Sequence, residues 1–175
     1  MSNLIKEILD MVALPYKWID KHKALFEYDD KKYGIYVDYF HLKLSTMKTA
    51  DVANISFGII KNDNFSVSND LDTSITNFGK PRTILSTVAE ACLSNKDVVN
   101  CDIISLASAD QIKEKRTLVY SLALAEIRNK VKEFSVAKDL NIKSKNGTVI
   151  TLLSKIEFTE EEQKEITKEL EIDKF

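Results

Sequence analysis

The stretch Thr76-Asn77-Phe78-Gly79-Lys80-Pro81-Arg82-Thr83 brings a glycine, two cations and a helix start into one short segment. The outward-pointing amides of a helix N-terminus carry partial positive charge. With Lys80 and Arg82 beside them they suit an anion such as a phosphate. Gly-x-Pro before a helix is also ordinary turn chemistry, and Pro81 stands where a helix tolerates proline. A second segment, Lys115-Arg116-Thr117-Leu118-Val119-Tyr120, sets Arg116 and Tyr120 four apart, on one helix face. Tyr120 could donate a proton at the border of a cleft. It could equally pack with its hydroxyl at the surface while Arg116 pairs with Asp110.

Other chemistries have less to stand on. His22 and His41 are far apart, and neither lies beside a nucleophile elbow. Asp29 with Asp30, and Asp70 with Asp72, read as turns or strand ends rather than as an acid and a base. Cys92 and Cys101 sit among apolar neighbours, with no CxxC pair and no histidine at zinc-ligand spacing. Buried free thiols and no metal site are the expectation. Tyr16, Trp18, Tyr33, Tyr36 and Tyr39, interleaved with lysines, could stack on bases. Aromatic alternation of this kind more often builds a core face, so nucleic acid is not the expected partner.

The elements that must position these residues follow from periodicity. Leu4, Ile5, Ile8, Leu9 and Val12 predict a helix ended by Pro15. Residues 16–19, 24–28, 33–40 and 52–61 alternate as strands of an antiparallel meander, with Asp29-Asp30-Lys31-Lys32 as a turn. Tyr33, Ile35, Val37 and Tyr39 fall on one face, and Tyr36, Asp38 and Phe40 on the other. A short strand is possible around 65–67. Ile84, Leu85, Val88, Ala91 and Cys92 then trace a helical stripe. Residues 98–107 hold the run Ile103-Ile104-Ser105-Leu106-Ala107, that of a strand covered on both faces. Ser108 and Gln111 suit a capping box for a helix carrying Val119, Leu122, Ile127, Val131 and Phe134. Asn146-Gly147 marks a hairpin between 140–145 and 148–153. Thr159 and Glu162 make a second capping box, opening a C-terminal helix. The order is that of an α+β fold, mostly antiparallel, with a helix–strand–helix crossover and a C-terminal hairpin and helix.

Size and charge bound the rest. The chain has 175 residues, 44% hydrophobic and 30% charged, which suits one domain with its own core. Within it, 1–15 is the N-terminal helix, 16–134 the core and 135–175 the C-terminal hairpin and acidic helix. No apolar run of membrane-spanning length occurs, and the first residues lack the basic-then-apolar order of a signal peptide. The net charge of −2 argues against a strongly basic nucleic-acid binder. That charge is uneven: four lysines and eight acids from Lys155 onward give −4, leaving +2 on the body. The acidic segment is either a solvated helix face or a tail aimed at a basic partner.

The aromatic strands 23–28 and 33–40, then Gly79-Lys80-Pro81-Arg82-Thr83-Ile84-Leu85-Ser86-Thr87-Val88, then 102–107, then Arg116 and Tyr120, resemble small bacteriophage proteins with the GNAT (Gcn5-related N-acetyltransferase) fold. The resemblance spans about residues 16–130. In such acetyltransferases a Gln/Arg-x-x-Gly-x-Gly/Ala loop holds the pyrophosphate of acetyl-CoA, and a tyrosine protonates the departing thiolate. Gly79 matches the central glycine, with Lys80, Arg82, Thr83 and Arg116 around it, and Tyr120 matches the tyrosine. Thr76 and Pro81 replace the flanking motif residues, Lys113 stands for a frequent asparagine, and the Gly-Phe after the tyrosine is missing.

The resemblance implies two functions of different class. One is a phage accessory protein that keeps the fold without an intact acetyl-CoA motif and binds a host or virion protein, in the host cytoplasm or on the virion. The other is an acyl-CoA-dependent N-acetyltransferase acting on an amine of a protein or small molecule. The altered cradle favours the first; Gly79 and Tyr120 favour the second.

Overall fold

The computed structural model describes residues 13–61, 65, 71–72, 81–108, 127, 131–135, 140–143 and 149–174. Alternation governs its first half. Strands β1 (Tyr16–Trp18), β2 (Lys23–Tyr28), β3 (Lys31–Lys43) and β4 (Thr49–Ile60) form an antiparallel meander. Asp29 and Asp30 turn β2 into β3 with φ of 52° and 61°. Two left-handed residues in a two-residue loop match the right-handed twist of the strands. β3 and β4 are longer than their alternation predicted, because the pairing runs without a break from Tyr33↔Ile59 to Lys43↔Thr49.

The second half adds β5 (Leu71–Asp72), α1 (Pro81–Ser94), α2 (Lys96–Val99), β6 (Ile103–Ser108), β7 (Leu140–Lys143), β8 (Val149–Ser154) and α3 (Glu160–Lys174). The eight described strands make one open sheet, ordered β1-β2-β3-β4-β6-β8-β7, with β5 paired to the end of β4. Every described pairing is antiparallel except β4 with β6. The α+β expectation of a mostly antiparallel sheet, with a C-terminal strand pair and helix, holds, and of the helix expected after β6 only Ile127 lies among the described residues.

Several local expectations give way. Val98 belongs to α2 rather than to a strand, because the Asn95 side chain accepts from Asp97 N and Val98 N and starts a helical turn there. Phe65 is not in a strand; its ring and Leu71 lie where a Cβ at Gly34 would stand, at 2.7 and 2.8 Å. Glycine is required at that close approach. Residues 13–15 are not helical, and residues 1–12 lie outside the described residues. Ile127 is helical, but Phe134 sits in a 3-10 turn, Lys132–Ser135, where Phe134 N donates to Val131 O. Gln111 and Asn146-Gly147 also lie outside.

The sheet has two buried faces. On one, Ala24, Phe26, Tyr33, Ile35, Val37, Ala53, Ile55, Ile104 and Leu153 pack with Ile84, Leu85, Val88 and Cys92 of α1, Ile127 and Phe134. On the other, Leu42, Leu44, Ala50, Val52, Ile103 and Leu152 pack with Phe158 and Ile166 at α3. The predicted division of β3 is therefore real: Tyr33 is core, stacked on Phe26 at 5.1 Å, while Tyr36 points to the opposite face.

α3 is clasped to the β3–β4 turn. Glu162 and Thr159 form the expected capping box: Thr159 N donates to Glu162 Oε1 at 3.0 Å, and Glu162 N to Thr159 Oγ1 at 3.2 Å. The same carboxylate accepts from Thr46 Oγ1 at 2.7 Å and Lys48 Nζ at 2.9 Å. Glu165 accepts from Ser45 N and Oγ. Part of the acidic balance thus serves the fold itself, while Glu160, Glu161 and Glu169 face solvent.

Candidate functional site

β4 and β6 are joined only from Val52↔Ile103 to Ile55↔Leu106. Beyond that, β4 stays paired with β3 on its far side as far as Ile59 and takes β5 at Ile59 and Ile60, while β6 continues to Ser108 paired with β8. The facing edges, Ser56–Gly58 and Ala107–Ser108, exchange no ladder bonds, so the sheet splits at the carboxyl ends of its parallel pair. Ligands of open sheets with crossover helices seat at such a point, where backbone groups are left to bond.

α1 lies along the β1 side of the sheet. Its C-terminal end lies beside β1, where Trp18 Nε1 donates to Ala91 O at 3.1 Å. Asn95, just after it, donates from Nδ2 to Lys21 O, which also accepts the Tyr39 hydroxyl. Tyr39 stands opposite Ala53, near the amino end of β4. The helix therefore runs alongside β1, in the sense opposite to β4, and Pro81, Arg82 and Thr83 start it toward the end of the sheet where β4 finishes. Thr83 is half-buried and its carbonyl accepts from Thr87 Oγ1 at 2.7 Å; the Thr87 hydroxyl in turn accepts from Leu14 N at 3.0 Å. Of the six predicted site residues, Arg82 (backbone) and Thr83 are described, in the first turn of α1. Gly79, Lys80, Arg116 and Tyr120 lie outside the described residues.

At the closed end of the split, Asn54 of β4 and Ser105 of β6 are paired in register. Ser105 Oγ donates to Asn54 Oδ1 at 2.7 Å, and both residues are buried. A polar pair inside a sheet is tolerated only because it is bonded. No sequence periodicity singles it out, since Asn and Ser in apolar runs look like interruptions.

One constellation escaped the sequence reading. His41 and Asp51 are direct partners across β3 and β4, and His41 Nδ1 donates to Asp51 Oδ1 at 2.7 Å. The signal was the turn Leu44–Lys48: once it is placed, antiparallel register sets 41 against 51. The pair lines a cavity of about 300 Å³ at the other end of the sheet from the split. A larger one, about 570 Å³, lies along β1–β3 between Tyr16, Leu25, Phe26 and Ile60. Its charged groups are the strand-borne Lys17, Glu27 and Lys32.

The thiols are free and buried, as expected. Burial pushes Cys92 up to about 12. Burial, then the Asp51 and Asp102 carboxylates, push Cys101 up to about 11. At pH 8 a thiol near 11 is ionised in roughly one molecule per thousand, and the thiolate is the nucleophile. Neither cysteine is expected to react with iodoacetamide in the native chain, and both should label after denaturation. Labelling counted by mass spectrometry checks this, and rapid native labelling of Cys101 would contradict its environment.

Among the described residues no group of three His, Cys, Asp or Glu could hold a metal ion. No described helix is long and apolar enough to cross a membrane. Comparison with protein-family models, with curated proteins and with solved structures finds no match for the chain.

Proposed function

We propose that the chain is a GNAT-like domain that binds an acyl-CoA at the split between β4 and β6, its diphosphate at the first turn of α1. One observation carries the reading. A mostly antiparallel sheet contains one described parallel pair, whose edges part toward their carboxyl ends, and the helix that precedes β6 runs in the sense opposite to β4 and starts toward that end of the sheet. Helix amides suit a phosphate at that position, and a crevice between parting strands admits an extended ligand. On this reading Gly79, Lys80, Arg82 and Thr83 hold the diphosphate and Arg116 adds charge. Tyr120 protonates the departing thiolate as an amine takes the acyl group.

A second reading has its own support. Pro81 is the first residue of α1 and has no N–H to offer a phosphate. With the cradle short of an amide, the chain would keep the fold without the chemistry. It would then act as a phage accessory protein binding a host or virion protein, with the exposed acids of α3 among the surfaces available.

Thermal unfolding with acetyl-CoA separates the two. A ligand at a hundredfold excess over its dissociation constant stabilises by about 2.7 kcal/mol. For a chain of this size that raises Tm by roughly 5–10 °C. A saturable rise supports the acyl-CoA reading, and no rise at millimolar ligand removes it and leaves the second.

A further inference from the structure

The cavity of about 300 Å³ at the amino end of β4 lies at the opposite end of the sheet from the split, so it is independent of any acyl-CoA site. Tyr39, His41 and Asp51 line it from the strands, Asp97 from α2, and Lys21 from the turn before β2. Its walls are held in place. Lys21 O accepts the Tyr39 hydroxyl at 2.8 Å and Asn95 Nδ2 at 3.2 Å, and Asn95 Oδ1 accepts from Asp97 N at 3.0 Å. Asp51 N donates to Asp102 Oδ2, and Asp102 N to Asp51 O.

The His41–Asp51 pair is not needed to hold these strands. Its side chains are 61% and 62% exposed, where an ion pair contributes little, and an unbroken ladder already joins β3 to β4. What the cavity offers is chemistry for a cation. Asp51 has one oxygen engaged by His41 and a second for a ligand. Asp97 supplies another carboxylate, and Tyr39 supplies a ring face. The chain's own ammonium already samples that position: Lys21 Nζ lies 5.8 Å from the Tyr39 ring centroid. The Cys101 thiol takes no part, since it is buried and donates to Asp97 O.

We propose that this cavity binds a small organic cation, a guanidinium or primary ammonium on a short apolar stem, through Asp51, Asp97 and the face of Tyr39. The test is a titration of the full chain with butylguanidinium, followed by the amide resonances of His41, Asp51 and Asp97, with uncharged butylurea as the shape control. Saturable shifts are expected, with a dissociation constant near 1 mM, about what so small a ligand can reach. The double variant Asp51→Asn, Asp97→Asn should weaken binding by about tenfold or more. Both side chains face solvent, so the variant is expected to fold, and its circular dichroism checks that. Lys21→Met removes the competing ammonium and should tighten binding. Equal binding of butylurea, undiminished binding by the folded double variant, or weaker binding by Lys21→Met would each overturn the proposal.

Discussion

Replacing Ile104 with alanine is expected to destabilise the fold by about 2–5 kcal/mol, a fall in Tm of roughly 4–20 °C. Ile104 is fully buried at the centre of the sheet, between Ala53 of β4 and Leu153 of β8, on the face covered by α1. Its neighbour Ala53 is already small, so the volume over that row depends on the isoleucine. The flanking strands are fixed by ladders on both sides and cannot close on the space left behind. Denaturant unfolding of Ile104→Ala beside Ile19→Ala measures the difference. Ile19 is 51% exposed and its replacement should stay within about 0.5 kcal/mol. A loss at Ile104 no larger than at Ile19 would mean that β6 is not the buried centre of this sheet.

The second large effect lies at Glu162. Its carboxylate is 2% exposed and accepts from Thr159 N, Thr46 Oγ1 and Lys48 Nζ. Those bonds, led by the Thr159 amide, hold it down to about 2 from an ordinary 4.5. A carboxyl held low when folded stabilises above its unfolded value and loses that contribution as pH falls. The gain is therefore complete above about 4.5 and disappears towards 2. Glu162→Gln keeps the shape and the capping acceptor but removes the charge facing Lys48. At pH 7 it should lower Tm by about 2–6 °C. The gap between native chain and variant should then narrow as pH falls from 4.5 to 2. A gap constant across that range would show that the charge of Glu162 does not tie α3 to the turn.

The strongest local signals in the sequence were also the reliable ones. Alternation in β2–β4 and the apolar run of β6 survive because the residues that alternate are those the two cores bury. The Thr159–Glu162 box and Pro81 as a helix start survive because capping is decided within one turn of chain. Pairing was not legible. Nothing in the order of residues says that β6 lies parallel to β4, or that β8 rather than β7 lies beside β6. Those facts depend on contacts between segments about fifty residues apart. The Asn54–Ser105 bond and the His41–Asp51 pair were hidden for the same reason, each joining two strands through register. Val98 was misplaced because its apolar character fits a strand and a buried helical turn alike, and only the Asn95 cap decides between them. The candidate site was half legible: the helix start was found from its residues, whereas the parting of β4 from β6 exists only in the sheet.

The most direct test of the proposed site is an amide chemical-shift titration with acetyl-CoA. Binding at the split predicts saturable shifts at Arg82 and Thr83 in the first turn of α1, at Ser56, Phe57 and Gly58 of β4, and at Ala107 of β6. It predicts little change at His41 and Asp51, at the far end of the sheet. Shifts absent from α1's first turn and from both parting edges, or confined to the far end, would contradict it.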